Sequence, residues 1–119
     1  MSAPKTRATA EVAMCNEVRL VGRVSRAPEE RVLPSGDAVW TFRVVVPRAP
    51  GRSRQAVDAI ECAAWSARAR RSVSGWSAGD VVEVRGALQR RFFRAGGAVA
   101  SRVEVEMSAG RVIRRATSG

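Results

Sequence analysis

Apolar residues that alternate with polar ones, glycines set in the middle of strands and a single short helix-favouring segment predict an all-β chain, a five-stranded small β-barrel of the OB-fold type with at most one short helix. At 119 residues the chain is one domain by length, with room for one modest core.

Over 18–24, Val18, Leu20 and Val24 fall on one face and Arg19, Val21 and Arg23 on the other. Gly22 stands where a strongly coiled strand needs a residue without a Cβ. Pro28 opens a connection into a second short strand, which ends at the Pro34-Ser35-Gly36 turn. Over 39–46, Trp40, Phe42, Val44 and Val46 alternate with Thr41, Arg43 and Val45, giving a core face and a basic face. Pro47 stops the pairing, and 48–55 reads as a Pro/Gly/Ser/Arg loop. The next strand covers 57–65, with Ile60, Cys62 and Ala64 inward and Ala59, Glu61, Ala63 and Trp65 outward.

Residues 66–71 favour a short helix over the open end of the barrel, and 75–80 turn the chain into a strand over 81–89. Val82, Val84 and Leu88 match the core parity there, and Gly86 supplies a second bend. Arg90 to Arg94 continue the strand, with Phe92 expected inward and Phe93 outward. A hairpin turn over 95–98 leads into 99–107, with Val103, Val105 and Met107 inward against Arg102, Glu104 and Glu106. Residues 111–115 read as a last short strand or tail. The division expected is a flexible segment over 1–14, the barrel over 15–114 and a short tail over 115–119. On pattern alone an SH3-like barrel or a small sandwich satisfies the same alternation.

The net charge is +10, from 21 basic residues, all arginine except Lys5, against 11 acids. That excess points to a polyanionic partner, although the preference for Arg over Lys is also what a GC-rich genome encodes. There is no histidine, which removes imidazole metal sites and the commonest general base. Cys15 and Cys62 lie far apart, fitting free thiols in a reducing cytoplasm. No stretch has the length and apolarity of a signal peptide or a membrane span, so a cytoplasmic location is expected.

The order of motifs is more specific than the pattern. Asn16-x-Val18-x-Leu20-Val21-Gly22-Arg23, Pro28-Glu29, Ser35-Gly36, Phe42, Trp65, Ala78-Gly79-Asp80-Val81-Val82-x-Val84-x-Gly86-x-Leu88, then Arg90-Arg91-Phe92-Phe93 before a Gly hairpin, together resemble the bacterial single-stranded DNA-binding proteins. The resemblance covers roughly 14–114. It implies an OB fold, a homotetramer, nucleoid association in the cytoplasm, and DNA wrapped over aromatic and basic surfaces. Trp65 and Phe93 fall where the family has base-stacking aromatics. Pro50 and Ala59 stand where it typically has stacking tryptophans, and Glu61 where better-known members have arginine. The family's acidic, Phe-ending tip is replaced by Arg114-Arg115-Ala116-Thr117-Ser118-Gly119, which fits a naturally short paralogue or a shortened sequence alike. Recruitment of enzymes through such a tip is not expected of this chain.

Single-stranded DNA offers a polyanionic backbone and exposed base faces, so a sequence-tolerant binder needs fixed cations and flat rings. Arg90, Arg91, Phe93 and Arg94 supply both within one strand, Trp65 adds a second ring, and Arg43, Arg52 and Arg54 are further phosphate contacts. Arg48, in the same loop as Arg52 and Arg54, is a candidate phosphate contact with them, whereas Arg68, Arg70 and Arg71 read equally well as a solvated helix face. Trp40 and Trp76 are assigned to core or interface. No enzyme is expected: Asp58 and Glu61 point to opposite faces, Glu104 and Glu106 have no base beside them, and the serines have no imidazole. No cofactor, metal or small-molecule substrate is expected either. The function expected is sequence-nonspecific single-stranded DNA binding and protection in replication, recombination or repair. Two rivals are an OB-fold protein-interaction or replication-restart module with weak nucleic-acid binding, and a cold-shock-like RNA binder, which the lack of clustered Phe and Tyr argues against.

Overall fold

The computed structural model describes residues 11–51 and 56–117. Most of the expected flexible segment, and the end of the expected tail, lie outside the described residues. The strands are β1 (Val18–Val24), β2 (Glu29–Val32), β3 (Ala38–Pro47), β4 (Val57–Ala64), β5 (Val81–Ala95) and β6 (Ala98–Arg114). Among the described residues one helix, α1 (Ala67–Val73), joins β4 to β5. Ser66 caps it by accepting the Ala69 N–H at 3.1 Å.

The hydrogen-bonded order is β1-β5-β6-β4-β3, and β1 pairs back onto β3, which closes a five-stranded OB barrel with β2 attached to β3 outside the ring. β1 serves both sides of the closure. Its residues pair antiparallel with β5 as far as Arg23↔Val81, while Arg23 and Val24 meet Val45 and Val44 of β3. A Cβ on Gly22 would strike the Val45 carbonyl oxygen, so the crossing needs glycine. The ring is completed by a parallel contact between β4 and β6, whose register is Cys62↔Val105 and Ala63↔Glu106.

The inward faces supply Val24, Phe42, Val44, Cys62, Ala64, Val82, Val84, Val105 and Met107. Ala69 and Val73 of α1 pack into the same core, and so does Trp76, whose ring meets Phe42 edge-on with centroids 5.3 Å apart. Val18, Leu20 and Trp40 pack against it half-buried. Asp80 is buried and fixes the turn before β5: its carboxylate accepts the Ser77 N–H at 2.9 Å, the Ala116 N–H at 2.8 Å and Arg115 at 3.0 Å. Burial pushes this carboxyl up, but the two backbone donors and Arg115 outweigh it and hold it below the usual range.

Two expectations about the last two strands are overturned. β6 is continuous through Arg114, so 111–114 is no separate element. Leu88, Phe92 and Val103 have the core parity but are 51%, 67% and 48% exposed, because β5 and β6 run past the barrel as a two-stranded arm. Beyond the β4 contact at Val105 the two strands pair only with each other. The arm ends at Gly96 and Gly97, both at positive φ, as a two-residue hairpin turn requires. Glu104 stands on the outer face as expected, yet it is only 5% exposed, since two arginines cover it.

Candidate nucleic-acid interface

The period of two, carried across the register, lays one continuous outer face over β2, β3, β4, β6 and the arm of β5. Arg31 sits beside Val39, Thr41 beside Ala63, Arg43 beside Glu61, and Arg91 beside Arg102. Trp65 follows the end of β4 on this face. Its carbonyl accepts from Arg70 of α1 at 3.0 Å, which fixes the strand end.

Glu104 is the centre of the site. Its carboxylate takes Arg91 at 2.9 Å and Arg102 at 3.6 Å. Each arginine in turn lies over a ring: Arg91 is 4.9 Å from the Trp65 centroid and Arg102 is 5.5 Å from that of Phe93. One buried carboxylate thus holds two cations and, through them, two aromatic rings. A cleft of about 160 Å³ opens beside them, lined by Arg31, Thr41, Trp65, Arg91 and Arg102 among others. The Trp65 indole Nε1 is buried and has no hydrogen-bond partner among the described residues.

The expected site residues divide as follows. Arg43, Trp65, Arg91 and Phe93 share this face. Arg43 is bound to Glu61 at 2.6 Å, so its charge is already partly answered. Arg90 and Arg94 project from the opposite face of the arm with Phe92, and Arg90 donates to Ser101 at 3.1 Å. Arg52 and Arg54 lie outside the described residues. Sequence reasoning missed Arg31, Arg102 and Glu104 as members. The hairpin register implies that Arg102 sits opposite Arg91; nothing in the short β2 pattern marks Arg31. Over the whole face Arg31, Arg43, Arg91 and Arg102 are matched in number by Glu29, Glu61, Glu104 and Glu106. Cys62, under the face in the core, has its thiol pushed up to about 12, by burial first and then by Glu61 and Glu104.

A closed OB barrel with an exposed sheet face of rings and guanidinium groups belongs to the class of folds that take oligonucleotides or oligosaccharides across their strands. The chain belongs to the single-strand binding protein family, whose model matches residues 15–113. It is similar to single-stranded DNA-binding protein 3 of Listeria innocua, 38% identical over 80 residues, which are 66% of this chain and 50% of that protein. It is likewise 38% identical over 81 residues to single-stranded DNA-binding protein A of Bacillus subtilis, covering 66% of this chain and 46% of that protein. The single-stranded DNA-binding protein of Oceanobacillus iheyensis is 35% identical over 82 residues, 67% of this chain and 51% of that protein. The chain thus spans about half the length of the curated relatives it matches. Among the described residues no helix is long and apolar enough to cross a membrane.

Proposed function

We propose that this chain binds single-stranded DNA without sequence preference and protects it during replication, recombination or repair. The observation that carries the reading is the coupling of Trp65 and Phe93 to Arg91 and Arg102 through Glu104 on one open sheet face. Bases stack on the two rings, and the guanidinium groups meet phosphate oxygens between them. Arg43 joins by exchanging Glu61 for phosphate; Arg90 and Arg94 contact a strand that passes behind the arm; Arg52 and Arg54 add further phosphate contacts. The binding unit is 15–114, acting in the cytoplasm on nucleoid DNA and with no catalytic step.

Self-association, as a tetramer, is part of the proposal. Its support is the exposed apolar row Leu88, Phe92, Val99 and Val103 along β5 and β6. The even balance of arginine and glutamate on the platform favours one second reading, an interaction module with weak nucleic-acid binding. Tryptophan fluorescence titrated with oligo(dT), poly(rU) and duplex DNA at several salt concentrations separates the two. Strong quenching by oligo(dT), falling steeply with salt and absent with duplex, supports the first; unchanged emission supports the second.

A further inference from the structure

The arm that β5 and β6 form beyond the barrel is aromatic and basic on both of its sides. It runs for seven register pairs, from Gln89↔Glu104 at the root to Ala95↔Ala98 at the tip, or about 20 Å. Between 89 and 103 it carries four arginines, Arg90, Arg91, Arg94 and Arg102, and no acid. The platform from which it grows has its arginines matched by glutamates, and beyond Glu104 that match ends.

Neighbours on a strand point to opposite faces, so the adjacent rings of Phe92 and Phe93 are divided between the two sides. Phe93 lies with Arg91 and Arg102 on the platform side. Phe92 lies with Arg90 and Arg94 on the back, where Arg90 donates at 3.1 Å to Ser101, the cross-strand partner of Phe92. Ser101 is too small to cover that ring, and both phenyl rings are exposed. Each side therefore presents one open ring among guanidinium groups. The arm is a single sheet layer, about 10 Å thick with its side chains. It narrows to Gly96 and Gly97, around which the space is open.

Resting on the proposed DNA-binding reading, we propose that the arm is a fork-recognition element, seated where a duplex opens into two single strands. One strand lies on the platform side and stacks on Phe93. Its complement passes down the back, where a base stacks on Phe92 and the phosphates meet Arg90 and Arg94. The strand behind the arm is thus the partner of the one on the platform, and the glycine tip points at the last base pair. Once one strand is seated, the junction holds the other beside the opposite side at high local concentration, so a fork gains what two separate single strands do not. Leu88 and Val103, at the root of the back, are left for self-association.

The test uses dT segments of about 8 nucleotides, within the span of one OB barrel, in three ligands: the segment alone, a duplex with one segment at each end, and a fork with both segments at one end. The parent protein is expected to bind the fork about tenfold or more tightly than the other duplex, which offers the same segments apart. Phe92→Ala, which removes an exposed ring and uncovers no core, is expected to abolish that preference while binding the lone segment as the parent does. Ser101→Glu sets a carboxylate beside Phe92, keeps the apolar row whole and gives the same pattern. A parent that binds the two duplexes alike overturns the fork assignment and leaves the platform standing. A fork preference that survives both substitutions also overturns it, since two platforms of an oligomer holding one segment each produce that result. Equal losses on all three ligands, with a smaller mass by light scattering, assign Phe92 to self-association and overturn the fork assignment as well. A parent that binds none of the three overturns the DNA-binding reading itself.

Discussion

The guanidinium of Arg91 lies 4.9 Å from the centre of the Trp65 ring while its Nε donates to the buried Glu104 carboxylate at 2.9 Å. Trp65 is thereby held by a charge that is itself held. Arg102 repeats the relation with Phe93 from the same carboxylate. Pre-set rings spare the ordering cost that mobile ones meet on binding. Trp65→Ala and Phe93→Ala are each expected to weaken oligo(dT) binding by about 1–3 kcal/mol with little change in melting temperature. A sharp drop in melting temperature with affinity intact would instead mark the ring as structural.

Glu104 restrains as well as positions. Glu104→Gln releases Arg91 and Arg102, which are 32% and 54% exposed and so remain solvated. Binding should tighten at low salt, and its salt slope should steepen by about 0.7 for each arginine that gains a phosphate. Affinity measured across a salt series checks this; an unchanged slope would show that neither arginine reaches the backbone.

Stability should depend on Glu83 in a pH-dependent way. Hydrogen bonds from Arg19 and Arg111 hold its carboxyl below the usual range, against the effect of burial. A carboxyl lowered on folding stabilises the native state above its unfolded pKa, and that contribution disappears as pH falls through the folded value. Glu83→Gln should therefore melt below the parent at about pH 7, with the gap closing on acidification toward about pH 3. Thermal melts across the range decide it, and a gap that persists in acid would assign the effect to packing.

Backbone approach, not side-chain chemistry, governs Gly22. Gly22→Ala drives a methyl into the Val45 carbonyl at the point where β1 passes from β5 to β3. A loss of about 1–3 kcal/mol in denaturant-derived stability is expected, from overpacking against backbone that cannot yield. Gly36→Ala is the comparison: it has open space around it but a φ of 94°, so any cost there comes from backbone strain.

The two thiols should separate cleanly. Cys15 is exposed, whereas Cys62 is 2% exposed with its thiol pushed up to about 12. At about pH 8 a disulfide reagent should titrate one thiol per native chain and the second only after unfolding. Two rapid equivalents would mean that the sheet opens readily around β4.

The strands of the ring were legible because their alternation is local: Val82 and Val84, or Phe42 and Val44, mark the core from the sequence alone. Gly22 was legible for the same reason, since a glycine inside an alternating strand has few other uses. The limit of the barrel was not. Phe92 and Val103 carry the core parity, and only the partners of β5 and β6, set by distant residues, show that the strands have left the core by then. The burial of Glu104 on its outward face was not legible, because it comes from Arg91 and Arg102 folding over it, which no spacing encodes. The arginine cluster on Glu83 stayed hidden likewise, since Arg19, Arg85 and Arg111 are far apart in the chain.

The contact of β4 with β6 has a register of two residue pairs, Cys62↔Val105 and Ala63↔Glu106, while every other join of the ring except β1 to β3 is longer. The cylinder therefore behaves as a clasp with two narrow catches, one of them directly beneath the aromatic platform. Anything laid across Trp65 and the arm spans that catch from outside, so an occupied platform should slow amide exchange at Val105 and Ala63 more than at the long antiparallel ladders.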